Sequence, residues 1–382
     1  MNIVTLLQPP RIVVGNGCAP QCARVLAEAG GRRVLLVSSS PVIPTLKPVL
    51  DALAGESIQT VMSPAVDREP DRALFNGVLE LAKSENVDGV LGIGGGSAID
   101  VAKLAAALTR GTQRVEEVFG IGLLAGRNLP LVCLPTTAGT GAEVSPNAIL
   151  LDESDELKKG VISPHLVPDA AFVDPLLTLS VPPAVTAATG LDALTHCIEA
   201  FVNNFSHPAV DLYALQGIRL ISRSLHAAVQ DGSNVDARAD LALGSLYGGL
   251  CLGPVNTAAV HALSYPLGGR FHIAHGISNA VLLPSVLRFN LPAAPERYAE
   301  VAVALGVQRN GSAAGTAEQG IQRLTKLSKA CGIPQWISDL GVPRSAIPEM
   351  ARAAMQVARL LKNNVRPLTE ADAIRIYEAG FE

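Results

Sequence analysis

Aromatic side chains are scarce in this sequence, 4% of 382 residues with a single tryptophan, and charged residues reach only 17%. A chain so poor in aromatics must fill its interior with aliphatic residues and alanine. With 48% hydrophobic residues it has enough of them, which excludes a disordered chain. Neither sign of charge dominates, the formal net charge being −4. That leaves no broad basic field to gather nucleic acid or an anionic membrane, so the expected partners are small molecules. The six cysteines (Cys18, Cys22, Cys133, Cys197, Cys251 and Cys331) form no Cys-x-x-Cys pair. This removes zinc ribbons and dithiol redox motifs, and free thiols in a reducing cytosol are the expectation. No apolar run reaches membrane-spanning length, and the stretch MNIVTLLQPPRIVVGNG lacks a basic region ahead of an apolar core. A cytoplasmic protein is expected.

What is present divides into two textures. From residue 11 to about 180, apolar runs at Arg11 to Val14, Val34 to Val37, Gln59 to Met62, Gly89 to Ile93 and Leu131 to Leu134 alternate with amphipathic stretches. The amphipathic stretches include Pro20 to Ala29, Arg72 to Glu85 and Ala98 to Thr109. This alternation predicts a doubly wound α/β domain with a mostly parallel sheet over residues 1–180. From residue 181 to 382 helical periodicity dominates, as in Pro208 to Val229, Asp236 to Leu252, Pro295 to Leu305, Gly315 to Cys331 and Ile347 to Leu361. No strand series is evident there, and an all-α domain is expected. A short capped helix should close the chain after Thr369.

Two strand ends in the first half carry small polar residues. In DGVLGIGGGSAIDVAK a strand runs into Gly94, Gly95, Gly96 and Ser97 and a helix follows, leaving unpaired N–H groups at the positive end of the helix dipole. A pyrophosphate would rest there, although the pattern is not a clean Gly-x-Gly-x-x-Gly and a purely structural turn has the same look. In LPTTAGTGAEVSPNA, Thr136, Thr137 and Thr140 follow the next strand, at the carboxyl edge where open α/β sheets bind ligands.

In the second half, TGLDALTHCIEA puts Asp192 and His196 one helical turn apart on a common face. Such a pair is also met as an ordinary local contact. However, the chain has only seven histidines, and His261, His272 and His275 fall within one glycine-rich region. Asp192, His196, His261 and His275 are therefore grouped as holders of one divalent metal.

Taken together and in order, GGGSAIDVAK, LPTTAGTGAEVSP, GLDALTHCIEA and HALSYPLGGRFHIAHGISNAVLLP closely resemble the iron-dependent (group III) alcohol dehydrogenases. The resemblance implies a dehydroquinate-synthase-like architecture, with an α/β nucleotide-binding domain, a helical domain, a metal in the cleft between them, and a homodimer. It implies Asp192, His196, His261 and His275 as the ligands. The expected metal is Fe2+, with Zn2+ as the alternative, because four protein ligands that still admit a substrate suit a metal accepting five or six. The implied reaction is hydride transfer between NAD or NADP and an alcohol or carbonyl polarised by the metal. Asp100, Thr136, Thr137, Thr140 and Lys158 are implied in the cofactor groove, with Lys159 adjoining.

Two departures from the family stand out. Many relatives have an acidic residue after the second strand, where this chain has Ser38, Ser39 and Ser40, so a loose or NADP-tilted preference is expected with Ser39 near the ribose. Many also place a histidine where this chain has Tyr265. The proton relay is then expected to involve Tyr265 or His272, and Arg270 marks an alternative site for a substrate carboxylate. The competing functions are a hydroxy-acid or oxo-acid dehydrogenase resembling the maleylacetate reductases, and a metal-dependent lyase or synthase on the same scaffold.

Overall fold

The computed structural model describes residues 3–152 and 157–381. Two compact units emerge, one formed by Leu6–Thr137 and Gly141–Ser180, the other by Val181 onward together with Ala138–Thr140 and the residues before Leu6.

The first unit contains the strands β1 (Arg11–Val14), β2 (Arg33–Val37), β3 (Gln59–Met62), β4 (Gly89–Gly94), β5 (Gly120–Ile121), β6 (Leu131–Pro135), β7 (Asn147–Asp152), β8 (Leu157–Ile162) and β9 (Ala170–Val173). Its helices are α1 (Cys22–Glu28), α2 (Lys47–Gly55), α3 (Arg72–Ser84) and α4 (Gly96–Leu108). Six strands make one parallel sheet in the order β1-β9-β6-β4-β2-β3. The central strand β4 is buried at every residue because helices cover both faces, which is why its sequence is a continuous apolar run rather than an alternating one. Separate apolar clusters lie on the two faces, one around Phe75, Val78 and Val101, the other around Leu26, Leu53 and Phe172.

The mostly parallel α/β sheet expected from the sequence is thus present. A second, three-stranded sheet, β5-β8-β7, was not expected. β5 is only two residues long, and β7 pairs antiparallel with β8. The alternating pattern of β7, with Ala148, Leu150 and Asp152 buried and the residues between them less so, is too short to separate from loop in the sequence.

The second unit is helical: α5 (Pro183–Phe201), α6 (Pro208–Gln230), α7 (Val235–Leu252), α8 (Ala259–Phe271), α9 (His275–Asn290), α10 (Pro295–Ala304), α11 (Ala313–Ala330), α12 (Ile347–Met355), α13 (Ala358–Leu361) and α14 (Glu370–Ala379). Pro183 opens α5 at a position where its missing N–H costs nothing. Asn234 caps α7, and a reciprocal Thr369–Asp372 capping box starts α14. One apolar cluster runs through the unit, with α5 at its centre: fifteen of its nineteen residues are buried. The sequence expected one helix from Ile347 to Leu361; the structure breaks it at Gln356 and Val357. The glycine-rich histidine segments prove to be the helices α8 and α9. Gly276, at the start of α9, explains its own identity, since a Cβ there would lie 2.2 Å from the Ala188 carbonyl oxygen of α5.

Candidate metal centre

Three helices bring the second unit's chemistry together. On α5, Asp192, His196 and Glu199 recur at spacings of four and three, so they line one face. α8 contributes His261, and α9 contributes His275 and, one turn later, Asn279. The Asp192 Oδ1, His261 Nε2 and His275 Nε2 atoms gather within 4.8 Å of one another, with Asp192 Oδ1 3.7 Å from the His261 nitrogen and 3.6 Å from that of His275. His196 Nε2 is 3.0 Å from His261 Nε2, and the two rings stack with centroids 4.6 Å apart. All four side chains grouped from the sequence therefore meet.

The donor set fits a cation. Ligand atoms bound at about 2.0–2.2 Å to one ion stand roughly 3–4 Å from each other, the spacing seen here. Glu199 prepares the set. Its Oε1 accepts from the Val260 N–H at 2.6 Å, and its Oε2 lies 2.6 Å from His261 Nδ1. A carboxylate only accepts, so His261 carries its hydrogen on Nδ1 and turns the Nε2 lone pair inward. Asn279 is assigned with its Nδ2 2.7 Å from Asp192 Oδ1, 3.2 Å from His261 Nε2 and 3.3 Å from His275 Nε2. Its Oδ1 is buried without a hydrogen-bond partner. An amide with two hydrogens cannot serve three acceptors at once, so a positive group between the Asp192 oxygen and the His261 nitrogen would be well placed.

Electrostatics agree. Burial pushes the Asp192 carboxyl up, but the imidazoles of His196, His275 and His261, with the Asn279 amide, bring it on balance below the usual carboxylate range. Burial holds the His196 imidazolium down, only partly opposed by Asp192. A neutral imidazole and an ionised carboxylate are the forms that bind metal. Asp192, His196 and His261 are at most 4% exposed, whereas the His275 side chain is 31% exposed. The cluster opens on the His275 side.

The other residues expected near this chemistry fare differently. The Tyr265 ring stands 6.4 Å from that of His275, and its hydroxyl accepts from Arg359 at 2.9 Å. His272 caps α8 in the left-handed conformation and is exposed; no described contact joins it to the cluster. Arg270 is paired with Glu349 at the surface.

In the first unit, β4 ends at Gly94 and α4 begins at Gly96, with Gly95 extended as the N-cap and no side chain filling the cap. A Cβ at Gly94 would lie 2.7 Å from that of Ala98, so the strand can turn this closely into its helix only with glycine there. Gly95, Gly96 and Ser97 are only partly covered, which leaves their N–H groups reachable. Thr136 is buried beside this turn, its N–H bonding to the Gly94 carbonyl, and Thr137 is partly covered. Thr140 belongs to the segment Ala138–Thr140 of the helical unit, where a Cβ on Gly139 would lie 2.8 Å from that of Thr189.

Asp100 accepts from the Ile149 N–H at 3.0 Å, and burial raises its carboxyl to about 6. Glu69 adds to that rise and pairs with Lys158, while Lys159 turns to Asp152. Ser39 is partly covered at the end of β2, and the next residue, Ser40, bonds Asp67 through both its N–H, at 2.7 Å, and its hydroxyl, at 2.6 Å.

Sequence reasoning missed Glu199, Asn279, Glu69 and Asp67. The first two had a signal, since Glu199 falls on the Asp192–His196 face and Asn279 is four residues after His275. Glu69 and Asp67 had none, because loops deliver them.

Comparison with known proteins gives a consistent result. The profile of the iron-containing alcohol dehydrogenases matches residues 9–175, and that of the Fe-containing alcohol dehydrogenase family, C-terminal, matches residues 186–381. The long-chain-alcohol dehydrogenase 1 of Geobacillus thermodenitrificans is 39% identical over 390 residues, covering 100% of this chain and 98% of its own. The 1,3-propanediol dehydrogenase of Citrobacter freundii is 35% identical over 375 residues, covering 96% and 97%. The crystal structure of a 1,3-propanediol oxidoreductase superposes with a TM-score of 0.96 at 33% identity, each chain covered to 100%.

Proposed function

The chain belongs to the iron-containing alcohol dehydrogenase family, and from that premise we propose that Asp192, His196, His261 and His275 hold one divalent metal, ferrous iron in preference to zinc, in an enzyme that interconverts alcohols and aldehydes with a nicotinamide cofactor. The gathering of the Asp192 oxygen with the His261 and His275 nitrogens, with His196 Nε2 3.0 Å from His261 Nε2 and all but His275 buried, carries this reading. The metal supplies Lewis acidity toward the substrate oxygen when bound.

The chain's own residues do the rest. Glu199 fixes the His261 tautomer, and Asn279 orients Asp192. The partly exposed flank of His275 is where an alcohol or aldehyde enters. The solvent-facing His272 is proposed to take the alcohol's proton through intervening water, and Tyr265, beside His275, to border the substrate.

The cofactor's pyrophosphate is assigned to the N–H groups of Gly95, Gly96 and Ser97, with Asp100, Thr136, Thr137, Thr140 and Lys158 around the nucleotide. Asp67 bears on the choice of cofactor. Held against Ser40 and kept below the usual carboxylate range by its hydroxyl and N–H, it sets an anion beside a strand end that has none in sequence. NAD is therefore the proposed preference over NADP. A homodimer in the cytoplasm completes the proposal; all six cysteines are free, and among the described residues no helix is long and apolar enough to cross a membrane.

Iron-reconstituted protein should bind one metal per chain and change nicotinamide absorbance with primary alcohols. A preparation that oxidises alcohols at full rate with no bound metal would sink the ligand set.

A further inference from the structure

Of the four grouped side chains only His275 reaches solvent, so whatever is on its open flank meets the substrate's tail. The Tyr265 ring stands there, tilted 55° to the imidazole with centroids 6.4 Å apart. Beyond it lies Arg359 of α13, its Nη2 2.9 Å from the Tyr265 hydroxyl and its guanidinium carbon 5.9 Å from the ring centroid.

Arg359 is half-buried, and among the described residues no carboxylate pairs with it. The contrast with its neighbours is direct: Arg270 pairs with Glu349, Arg297 forks onto Asp211, and Arg344 pairs with Glu378. A partly desolvated guanidinium whose partners are a hydroxyl and the face of the same ring has most of its donors free and no anion to balance its charge. The tyrosine hydroxyl accepts the arginine's N–H and so keeps its own hydrogen to give. Two donors thus meet next to His275, a planar cationic fork and an O–H, and together they match an oxyanion.

Resting on the dehydrogenase reading above, we propose that Arg359 and Tyr265 form a subsite for an anionic tail, so that the enzyme takes short alcohols or aldehydes carrying a carboxylate or sulfonate at the end remote from the reacting carbon. The role that the sequence suggested for Arg270 falls to Arg359 instead. In this arrangement the anion completes the charge balance of Arg359, and its attachment holds the hydroxyl or carbonyl end toward His275.

The test uses iron-reconstituted protein and chain-matched probes: 4-hydroxybutanoate against 1-butanol for the carboxylate, and 2-hydroxyethanesulfonate against 1-propanol for the sulfonate. The unmodified enzyme should favour at least one anion over its neutral match in kcat/KM. Arg359→Gln should collapse that ratio by about tenfold or more, mainly through KM, and Arg359→Lys should restore part of it. Tyr265→Phe should reduce the ratio by a smaller factor. Calorimetric titration of the metal-loaded protein with 4-hydroxybutanoate and 2-hydroxyethanesulfonate gives a readout independent of turnover, and Arg359→Gln should weaken that binding by a similar factor.

A preference for both neutral alcohols, or an Arg359→Gln variant that loses both members of each pair alike, overturns the subsite and leaves Arg359 as a prop for Tyr265. If no alcohol is oxidised while anion binding still depends on Arg359, the dehydrogenase reading falls and the anion subsite stands. If neutral alcohols turn over and anion binding ignores Arg359, the subsite alone falls.

Discussion

At the amino end of α4 the chain offers backbone: a strand stops, Gly95, Gly96 and Ser97 leave N–H groups reachable, and Gly94 just before them is glycine because a Cβ there would collide with Ala98 in the first turn of the helix. In the helical unit the offer is made by side chains from α5, α8 and α9, drawn from positions as far apart as Asp192 and His275. The difference teaches where tolerance lies. Backbone donors survive most substitutions of their neighbours, and losing one N–H among several weakens a site by degrees. A ligand set with one member per corner has no spare, and each ligand is also what keeps its neighbours' buried lone pairs from being unsatisfied.

The sharpest way to break this contrast is His261→Ala. Bound metal and turnover should both fall by more than about a hundredfold, beyond the range for losing an outer partner, while circular dichroism stays unchanged. Elemental analysis decides: stoichiometric metal in this variant ends the argument.

Next in size is Glu199→Gln, which keeps the shape but can donate toward Nδ1 and so unlocks the tautomer. Metal affinity should drop by about ten- to a hundredfold, read by competition with a chelator. If Glu199 only packs, affinity will not move.

Against these stands Gly95→Ala. Its backbone suits alanine, and the new Cβ would meet only the Thr137 side chain, at 3.5 Å. The cofactor's KM should rise by a few-fold, on the order of 1 kcal/mol, with metal content untouched. Equal loss of metal would show that the two regions are not separable as described.

A further effect, on stability rather than on binding, concerns Glu143, which burial raises to about 7. A carboxyl raised in the fold adds most stability where it is protonated, and that contribution is lost as pH climbs from its unfolded value near 4.5 through about 7. Glu143→Gln should therefore gain stability relative to the parent between about pH 5 and 8, by about 1–3 kcal/mol in denaturant titrations. A gain that does not grow with pH would remove burial as the cause.

How much of this was legible in the sequence follows from the same contrast. The strand-to-glycine-to-helix turn is a local string, so its place was readable before any fold was known. Asp192 and His196 were readable as a pair because a helix fixes their spacing, and Glu199 could have been added by counting one more turn. That His261 and His275 join them is a tertiary fact, and in the sequence it rested on histidines crowded into one glycine-rich region and then on a resemblance, not on periodicity. α8 and α9 each carry a proline inside and show little amphipathic pattern, because they are covered nearly all round. Asp67, Glu69 and Arg359 sit in loops or in a helix of four residues, where no period constrains direction. A substitution such as Tyr265 for histidine is visible in a string, but what Arg359 makes of it is not.

The cysteines have a consequence outside the sites. All six are buried, and enclosure pushes their thiols up, to about 11 for Cys18 and Cys331 and about 12 for Cys22, Cys133 and Cys197, with Cys251 also well above its ordinary value. Aldehydes are electrophiles, and the species that attacks them is thiolate. A catalyst that makes or consumes an aldehyde at every turnover lives in contact with a reagent for its own sulfur. By keeping every thiol protonated and out of reach, this fold offers its aldehyde no sulfur to modify, and that protection is built into how the chain packs.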